Sequence, residues 1–179
     1  MITLTPELRL VPVQEENAGQ VYGIMVACYP PVYAHLWQDA GKWYLQSMYN
    51  RQQVIADASN PDAPYFIVEW EENPIGILWY KKHNASPDHP NVPGLKLQRI
   101  YLAPSTHGKG IGRLITNFVA EEANRLEKAL VWLEAMDTQE SAHRFYEKMG
   151  YRKAGTYRLA FERMHPHYRG MVRMTKFLK

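Results

Sequence analysis

A glycine-rich segment between a short apolar run and a stretch of helical periodicity constrains this chain most. Gly108, Gly110 and Gly112 fall within five residues. The run before them, residues 95–102, is typical of a buried strand, and apolar residues then recur at the spacing of one helix face: Ile111, Leu114, Ile115, Phe118, Val119 and Leu126. Glycine leaves backbone N–H groups uncovered, and the first four N–H groups of a helix have no partner within it. Because a helix N-terminus also carries about half a positive charge, the pattern predicts an anion-binding strand–loop–helix.

The spacing of the glycines distinguishes three kinds of phosphate-binding loop. A P-loop has Lys and then Ser or Thr after its last glycine, but Arg113 and Leu114 follow Gly112. A dinucleotide-binding fingerprint that starts at Gly108 needs a third glycine at position 113, which is Arg113 here. Such a fingerprint also follows the first strand of a βαβ unit, whereas about a hundred residues precede this loop. The third kind, Gln/Arg-x-x-Gly-x-Gly/Ala, fits Gly110 and Gly112 and has His107 in place of Gln or Arg. It is the loop of the GNAT acetyltransferases, which this segment resembles.

The resemblance continues through the next two segments of the chain. Residues 129–135 resemble the family's next strand, and residues 141–151 resemble its Asn-x-x-Ala-x-x-Phe-Tyr-type helix. The match is strong over residues 95–151, the N-terminal half matches in the order of its elements, and the layout is most similar to the branch of the bacterial spermidine/spermine acetyltransferases. The resemblance implies an α/β (α+β) GNAT fold, with a central mixed, mostly antiparallel sheet, a splayed pair of parallel strands and flanking helices.

Length and composition are those of one globular domain spanning residues 1–179. With 46% hydrophobic and 22% charged residues, a chain of 179 residues can bury a core without disulfides or metals. The net charge of +3 is scattered along the chain, which argues against a nucleic-acid-binding surface. A single cysteine, Cys28, excludes an intrachain disulfide and fits a reducing cytoplasm, and no apolar run is long enough for a signal peptide or a membrane span. We therefore expect a cytoplasmic protein with no nucleic-acid or membrane partner.

Hydrophobic periodicity and turn residues predict the remaining elements. In the N-terminal half we expect an edge strand at 8–13 and then a helix that Asn17 caps. Pro30-Pro31 should stop this helix, because the residue before the second proline favours extended backbone. A short buried helix with Trp43, Tyr44 and Met48, a helix at 51–58, and a hairpin of strands 65–70 and 75–80 follow. In the C-terminal half we expect a polar loop at 81–94 and two parallel strands joined by the helix after the glycine loop. The next helix should begin at a capping box formed by Asp137 and Glu140 and should stop at Gly150. Two closing antiparallel strands are expected at 153–162 and 169–178.

Two clusters lie outside the glycine segment. Six aromatic or imidazole rings crowd into sixteen residues: Tyr29, Tyr33, His35, Trp37, Trp43 and Tyr44. Any one of them is more simply explained as core, but in GNAT proteins this part of the chain forms one wall of the acceptor site, so the resemblance implies Tyr33, His35 and Trp37 as acceptor-binding residues. Two histidines and an aspartate at 83–89 lie in a proline-rich polar loop, where such spacing is typical of solvated surface, and we expect no metal.

The family resemblance also implies where acetyl-CoA binds. In GNAT proteins the pantetheine arm lies between the splayed strands and pairs with exposed backbone, and a preorganised N–H there stabilises the transition state. The implied acetyl-CoA contacts are Ile100, Tyr101, Leu102, His107, Gly108, Lys109, Gly110, Ile111, Gly112, Arg113, Ser141 and Tyr146. Lys109 and Arg113 add charge at the rim of the loop, His107 contacts the pyrophosphate if its imidazole is protonated, and Ser141 stands where many relatives have a longer Asn.

Acetyl transfer needs a neutral amine, a polarised carbonyl and a proton for the departing thiolate. The resemblance implies Tyr146 as the general acid, because the family's Tyr on this helix points at the sulfur. The alternative for Tyr146 is a core residue, since Ala142, Phe145, Tyr146 and Met149 form an apolar helical stripe.

The general base stays open at this point. Glu134, at the end of the strand after the loop helix, is the nearest carboxylate by topology, and a water chain or His35 are alternatives. Glu134 can equally be a structural partner of Arg99. Gln98 occupies a strand position where relatives often carry a carboxylate.

Taken together, the resemblance implies an acetyl-CoA-dependent N-acetyltransferase that acts on a primary amine of a small molecule such as a polyamine. One alternative is a protein or peptide N-acetyltransferase. Another is a noncatalytic, acyl-CoA-binding regulatory GNAT, which His107, Gln98 and Ser141 favour and Tyr146 disfavours. Outside this fold, a nucleotide-binding module could use the same loop. A homodimer is compatible with each of these.

Overall fold

The computed structural model describes residues 1–179, which form an eight-stranded sheet with flanking helices. The strands are β1 (Ile2–Thr3), β2 (Leu8–Pro12), β3 (Tyr65–Trp70), β4 (Asn73–Lys81), β5 (Gly94–Leu102), β6 (Leu130–Met136), β7 (Arg152–Arg158) and β8 (Gly170–Phe177). They lie in the order β1-β2-β3-β4-β5-β6-β8-β7, and every neighbouring pair is antiparallel except β5 and β6. The expected mostly antiparallel sheet with one parallel pair is confirmed.

Six α-helices and three short 3₁₀ helices connect the strands. The α-helices are α1 (Ala18–Cys28), α2 (Pro30–Tyr33), α3 (Lys42–Tyr49), α4 (Arg51–Ala58), α5 (Ile111–Arg125) and α6 (Glu140–Lys148), and the 3₁₀ helices are Ala34–Leu36, Pro104–Thr106 and Pro166–Tyr168. None of the helices combines the length and apolar character needed to cross a membrane.

Two hydrophobic cores lie on opposite faces of the sheet. Side chains alternate along β3: Phe66 and Val68 belong to the core under α5 and α6, while Tyr65 and Ile67 belong to the core under α1, α3 and α4. The predicted apolar stripe of α5 is buried in the first core, as the 3.6-residue period requires.

The parallel strands separate after three residue pairs. β5 and β6 pair only at Gly94–Leu130, Leu95–Val131 and Lys96–Trp132, yet both strands continue beyond that point. The splay predicted from the resemblance is therefore present, and the rest of β5 has no strand beside it on the β6 side. On its other side β5 pairs with β4 to Leu102, with a shift in register at Gln98.

Two predictions are wrong: that Pro30 ends the helical region and that β2 is an edge strand. Pro30 was expected to be extended and to end the helical region, but it begins α2, and Tyr29 before it is also helical (φ −82°, ψ −52°). Proline is tolerated in a first helical turn because no N–H is needed there. β2 was expected at the sheet edge, but β1 lies outside it and pairs with Arg9 and Leu10, so Pro12 is beyond the covered part.

The two predicted side-chain caps are also wrong. The Asn17 carboxamide accepts from the Gln14 N–H at 2.8 Å and donates to the Pro12 carbonyl at 3.0 Å, so it faces back along the chain rather than into α1. α6 begins at Glu140 after Gln139, and Asp137 pairs through its own N–H with the Gly170 carbonyl. The C-terminal stop at Gly150 is confirmed by its positive φ of 90°.

Candidate active site

The glycine loop presents open backbone at the start of α5. Gly108 and Gly110 have φ of 82° and 78°, a left-handed conformation that favours glycine. A Cβ on Gly108 would have no atom within 4 Å, and one on Gly110 would meet only Arg113 Nη2 at 4.0 Å. Gly110 is the N-cap of α5 and no side chain caps this helix. The first N–H groups of α5 therefore face open space that a phosphate group fits.

A cavity of about 580 Å³ extends from this loop along β5 to α6. We call it the loop cavity, and it brings together residues from three distant parts of the chain: Ile100, Tyr101 and Leu102 of β5, His107, Gly108, Gly110, Ile111, Gly112 and Arg113 of the loop, and Ser141 and Tyr146 of α6. Lys109 is the one implied contact that does not line it, because the side chain extends to within 5.9 Å of the Trp70 ring.

A second cavity, of about 340 Å³, is mostly apolar and rich in aromatic rings. We call it the aromatic cavity, and its rings come from Tyr29, Tyr33, Trp37, Tyr44, Tyr101, Tyr146, Tyr157 and Phe161. Tyr44 stacks against Tyr29 and Trp37, with ring centroids 5.0 and 4.9 Å apart, and Trp37 Nε1 donates to the Tyr29 hydroxyl at 2.8 Å. This network joins Tyr29, Trp37 and Tyr44 into one wall of the cavity.

The two cavities meet between the splayed strands. Six residues line both: Tyr33, Ile100, Tyr101, Gln139, Ala142 and Tyr146. Tyr146 is 9% exposed, and burial, followed by the neighbouring Tyr151 and Tyr33, raises its pKa. Its hydroxyl therefore stays protonated at neutral pH and can donate a hydrogen bond at the junction.

Glu134 lines the aromatic cavity, but its partner is not the expected one. Its Oε2 lies 2.8 Å from Lys96 Nζ, on the strand that pairs with β6. Arg99 was considered as a partner, yet its nearest carboxylate is Asp57, at 3.8 Å. The correction has a simple cause: the strands separate after Lys96, so Arg99 lies beyond the reach of β6.

The three residues implied for the acceptor wall differ in position. Tyr33 lines both cavities, and Trp37, 3% exposed, lines the aromatic one. His35 lines neither cavity; its ring is exposed and packs edge-on against Tyr168 at 5.0 Å. In the 3₁₀ turn Ala34–Leu36 the neighbouring Leu36 faces inward, which leaves His35 facing solvent and corrects both its acceptor-wall and its base assignment.

Two residues of the cavities were not assigned a site role from the sequence. Gln139 lines both cavities because it is the N-cap of α6, at the junction of the splayed strands. Arg99 lines the aromatic cavity, and the signal that could have found it is a partly buried arginine directly before the apolar run Ile100–Leu102.

Comparison with known proteins agrees with this geometry. A family model described as "Acetyltransferase (GNAT) family" matches residues 18–151, which is most of the chain. The chain belongs to the GNAT family. The family match extends to the N-terminal half, where the sequence alone resembled a GNAT only in the order of its elements.

Two curated relatives of this GNAT chain are similar in sequence over part of their length. An uncharacterized N-acetyltransferase from Lactobacillus delbrueckii subsp. lactis is 23% identical over 107 residues, covering 60% of this chain and 62% of the relative. The mycothiol acetyltransferase of Acidothermus cellulolyticus is 29% identical over 128 residues, covering 66% of this chain and 38% of that protein. The chain thus spans less than two thirds of the length of either relative.

Solved structures share the fold over nearly the whole GNAT chain. The PaiA N-acetyltransferase of Thermoplasma acidophilum, solved with coenzyme A, has a TM-score of 0.72 at 14% identity and covers 96% of this chain and 99% of its own. A mutant of the spermidine N-acetyltransferase SpeG from Vibrio cholerae has a TM-score of 0.66 at 16% identity, covering 97% and 95%. At these identities the likeness establishes the fold alone.

Proposed function

We propose that this GNAT protein transfers an acetyl group from acetyl-CoA to a primary amine of a small molecule. The observation that carries the proposal is the meeting of two chemically different cavities at Tyr33, Tyr101 and Tyr146. One offers open backbone N–H groups and a helix N-terminus to an anion, and the other offers an apolar wall to an acceptor. Acetyl-CoA supplies the activated acetyl thioester when bound.

The residues of the loop cavity have separate tasks in this proposal. The N–H groups around Gly108, Gly110 and the first turn of α5 bind the pyrophosphate, with His107 and Arg113 lining the same space. The backbone of Ile100, Tyr101 and Leu102 on β5 has no strand neighbour on the β6 side, so it is free to hold the pantetheine arm and orient the carbonyl. Ser141 at the start of α6 faces the same cavity.

Tyr146 donates the proton to the departing sulfur. The raised pKa keeps the phenol protonated before the reaction, and Tyr146 lines both cavities. The same shift weakens the phenol as an acid, so the transfer depends on a thiolate that burial has also made more basic. Glu134 is the carboxylate we propose to accept the proton of the acceptor's ammonium group, and Lys96 holds it in place.

The aromatic cavity favours a compact acceptor with few positive charges. Its volume of about 340 Å³ suits a small molecule rather than a protein segment. A polyamine would need several carboxylates, but Glu134 is the one carboxylate in the lining and is already paired with Lys96. Asp39, Asp57 and Glu69 lie outside the lining. We therefore propose a monoamine as the acceptor.

The proposal is tested by incubating the protein with acetyl-CoA and a panel of amines while measuring release of the free thiol. We expect turnover with at least one compact monoamine and weaker turnover with spermidine. The panel should include a lysine-containing peptide for the protein N-acetyltransferase alternative. Tight CoA binding in calorimetry without turnover of any amine would instead favour the noncatalytic alternative.

A further inference from the structure

Arg99 is a cation within the wall of the aromatic cavity. It lies on β5 beside the register shift at Gln98, and its side chain is 13% exposed. The guanidinium carbon lies 5.0 Å from the centroid of the Tyr49 ring and 4.9 Å from that of Trp79. The two rings hold the guanidinium in place, and arginine keeps its charge at any physiological pH.

The guanidinium has no carboxylate within hydrogen-bonding distance, and the Tyr65 hydroxyl that interacts with it is neutral. Nη2 reaches only the thioether sulfur of Met48, at 3.7 Å, and thioethers are weak acceptors. Nη1 is buried with no hydrogen-bond partner, and Asp57 Oδ2 is 3.8 Å from it, beyond hydrogen-bonding distance. A buried charged donor without an acceptor is unfavourable, so a site of this kind is complete only when an acceptor is supplied from elsewhere.

The cavity lining supplies no free carboxylate. Glu134 is the only carboxylate in the lining, and Lys96 at 2.8 Å already neutralises it. Gln98, next to Arg99, brings a second buried atom without a partner, Oε1, to the same wall. A cation with a buried donor that lacks an acceptor, and a neutral acceptor without a donor on the preceding residue, match a ligand that has both an anionic group and an N–H or O–H group.

We infer that the acceptor is an amine that also carries a carboxylate, and that Arg99 binds this carboxylate. The inference rests on the proposed N-acetyltransferase function and narrows its substrate class. One carboxylate matches the single charge of one guanidinium. A phosphate carries nearly two negative charges at neutral pH, and Asp57 at 3.8 Å from Nη1 disfavours the second.

The test compares acceptors that differ only in the carboxylate. For wild-type protein with acetyl-CoA, kcat/KM is measured for phenylalanine, phenylalaninamide and phenethylamine, and for 4-aminobutyrate and butylamine. In at least one set we expect the carboxylate to raise kcat/KM by about tenfold to a hundredfold, mainly through KM, as for one hydrogen bond to a charged group. Phosphoethanolamine is included and should be a poor acceptor.

Several outcomes would overturn the inference while leaving the proposed function intact. These are equal or better turnover of the carboxylate-free amines in both sets, or a preference for phosphoethanolamine. If no amine at all is acetylated, the proposed function fails instead. In that case the shift in melting temperature that each acceptor causes in the presence of CoA still tests the inference, which requires a larger shift with the carboxylate.

Variants assign the preference to Arg99. Arg99→Met should abolish the preference for the carboxylate, measured as the ratio of kcat/KM for phenylalanine to kcat/KM for phenylalaninamide. Arg99→Lys should keep part of this preference, because lysine retains the charge but not the paired N–H donors of the guanidinium. Asp57→Asn removes the neighbouring carboxylate and should keep or increase the ratio. A ratio unchanged in a folded Arg99→Met protein would mean that Arg99 only supports the packing of Tyr49 and Trp79. Should that variant not fold, the wild-type comparison decides.

Discussion

The two cavities are built in different ways. The loop cavity gathers residues of α2, β5, the glycine loop and α6, and its anion-binding end is the open backbone of one short segment, Gly108 to Arg113. The aromatic cavity is made of side chains from α2, α3, β5, β6, α6, β7, β8 and the segments between them. Both cavities exist only once the chain has folded, but the anion-binding end of the first depends on a local backbone conformation that glycine permits, whereas the second depends on side chains throughout.

This difference decides which changes in sequence each cavity tolerates. Anion binding by backbone amides depends on φ and ψ at a few positions and hardly on side-chain identity. In the proposed function, acceptor binding depends on individual rings and on Arg99, each of which can be exchanged without altering the fold class. Members of one fold can therefore share the loop cavity and differ in the acceptor they take.

The strongest test of the comparison is at the junction. Tyr146→Phe should lower kcat by about 10²–10⁴-fold with little change in acetyl-CoA affinity, because it removes a positioned proton donor but keeps the ring. Its hydroxyl has no hydrogen bond within the protein to lose, so the melting temperature should change little. Steady-state kinetics and thermal unfolding measure both effects.

Tyr151→Phe is the matched control for this substitution. The Tyr151 ring packs edge-on against Tyr146, with centroids 5.5 Å apart, and its hydroxyl is buried without a partner. Loss of that hydroxyl should leave kcat unchanged. A Tyr146→Phe protein with near-normal kcat would make Tyr146 a packing residue, and water or the acceptor would have to protonate the sulfur.

The next largest effect concerns the loop cavity alone. Gly110→Val places a branched side chain where the backbone must face an anion, so CoA affinity should fall at least about tenfold, as for loss of a hydrogen bond to a charged group. The substitution also costs about 1–2 kcal/mol of stability, since φ is 78° at this position. Calorimetry with CoA measures the first and thermal unfolding the second.

Gly150→Val separates conformational strain from the effect on binding. Gly150 has a φ of 90° and lies outside both cavities, and a Cβ there would meet only the Lys176 side chain at 3.6 Å. The two variants should be destabilised alike, but only Gly110→Val should lose CoA affinity. Equal CoA affinities in folded proteins would remove the argument that the loop binds pyrophosphate.

Features that depend on local backbone conformation could be predicted from the sequence, whereas those that depend on side chains brought together by the fold could not. The loop, the splayed strands and the gathering of Ile100–Leu102, the three loop glycines and Tyr146 around one cavity follow from local patterns and the family resemblance. His35 was misassigned because the pattern gives no orientation for a ring in a 3₁₀ turn. The partner of Glu134 was misassigned because where two strands separate depends on packing far from either residue. Asn17 does not cap α1, because its carboxamide hydrogen-bonds instead with the Gln14 N–H and the Pro12 carbonyl, which precede it in the chain.

A smaller effect tests the role of Glu134 in the aromatic cavity. Glu134→Gln should lower kcat/KM for the best amine by about tenfold or more at neutral pH, as for loss of a general base. The loss should shrink as the pH approaches the pKa of the amine, because a neutral amine needs no base. Glu69→Gln is the control, since Glu69 forms a similar half-buried pair with Arg9 at 3.3 Å outside both cavities. A loss that is constant with pH would make the Lys96–Glu134 pair purely structural.

The smallest expected effect uses Cys28 as a reporter of which cavity is filled. Its side chain lines the loop cavity and not the aromatic one, it is 3% exposed, and its Sγ is 3.5 Å from the Ile75 carbonyl. Burial raises the pKa of the thiol to about 11. At pH 8 only about one thiol in a thousand is therefore ionised, so alkylation by iodoacetamide should be slow and should speed up about tenfold per pH unit between pH 7 and 9. Saturating CoA should slow the reaction severalfold and an amine acceptor should not, with Cys28→Ser as the unlabelled control. Equal protection by both ligands would mean that the two cavities form one continuous site. The proposed separation between anion binding by backbone and acceptor binding by side chains would then be wrong.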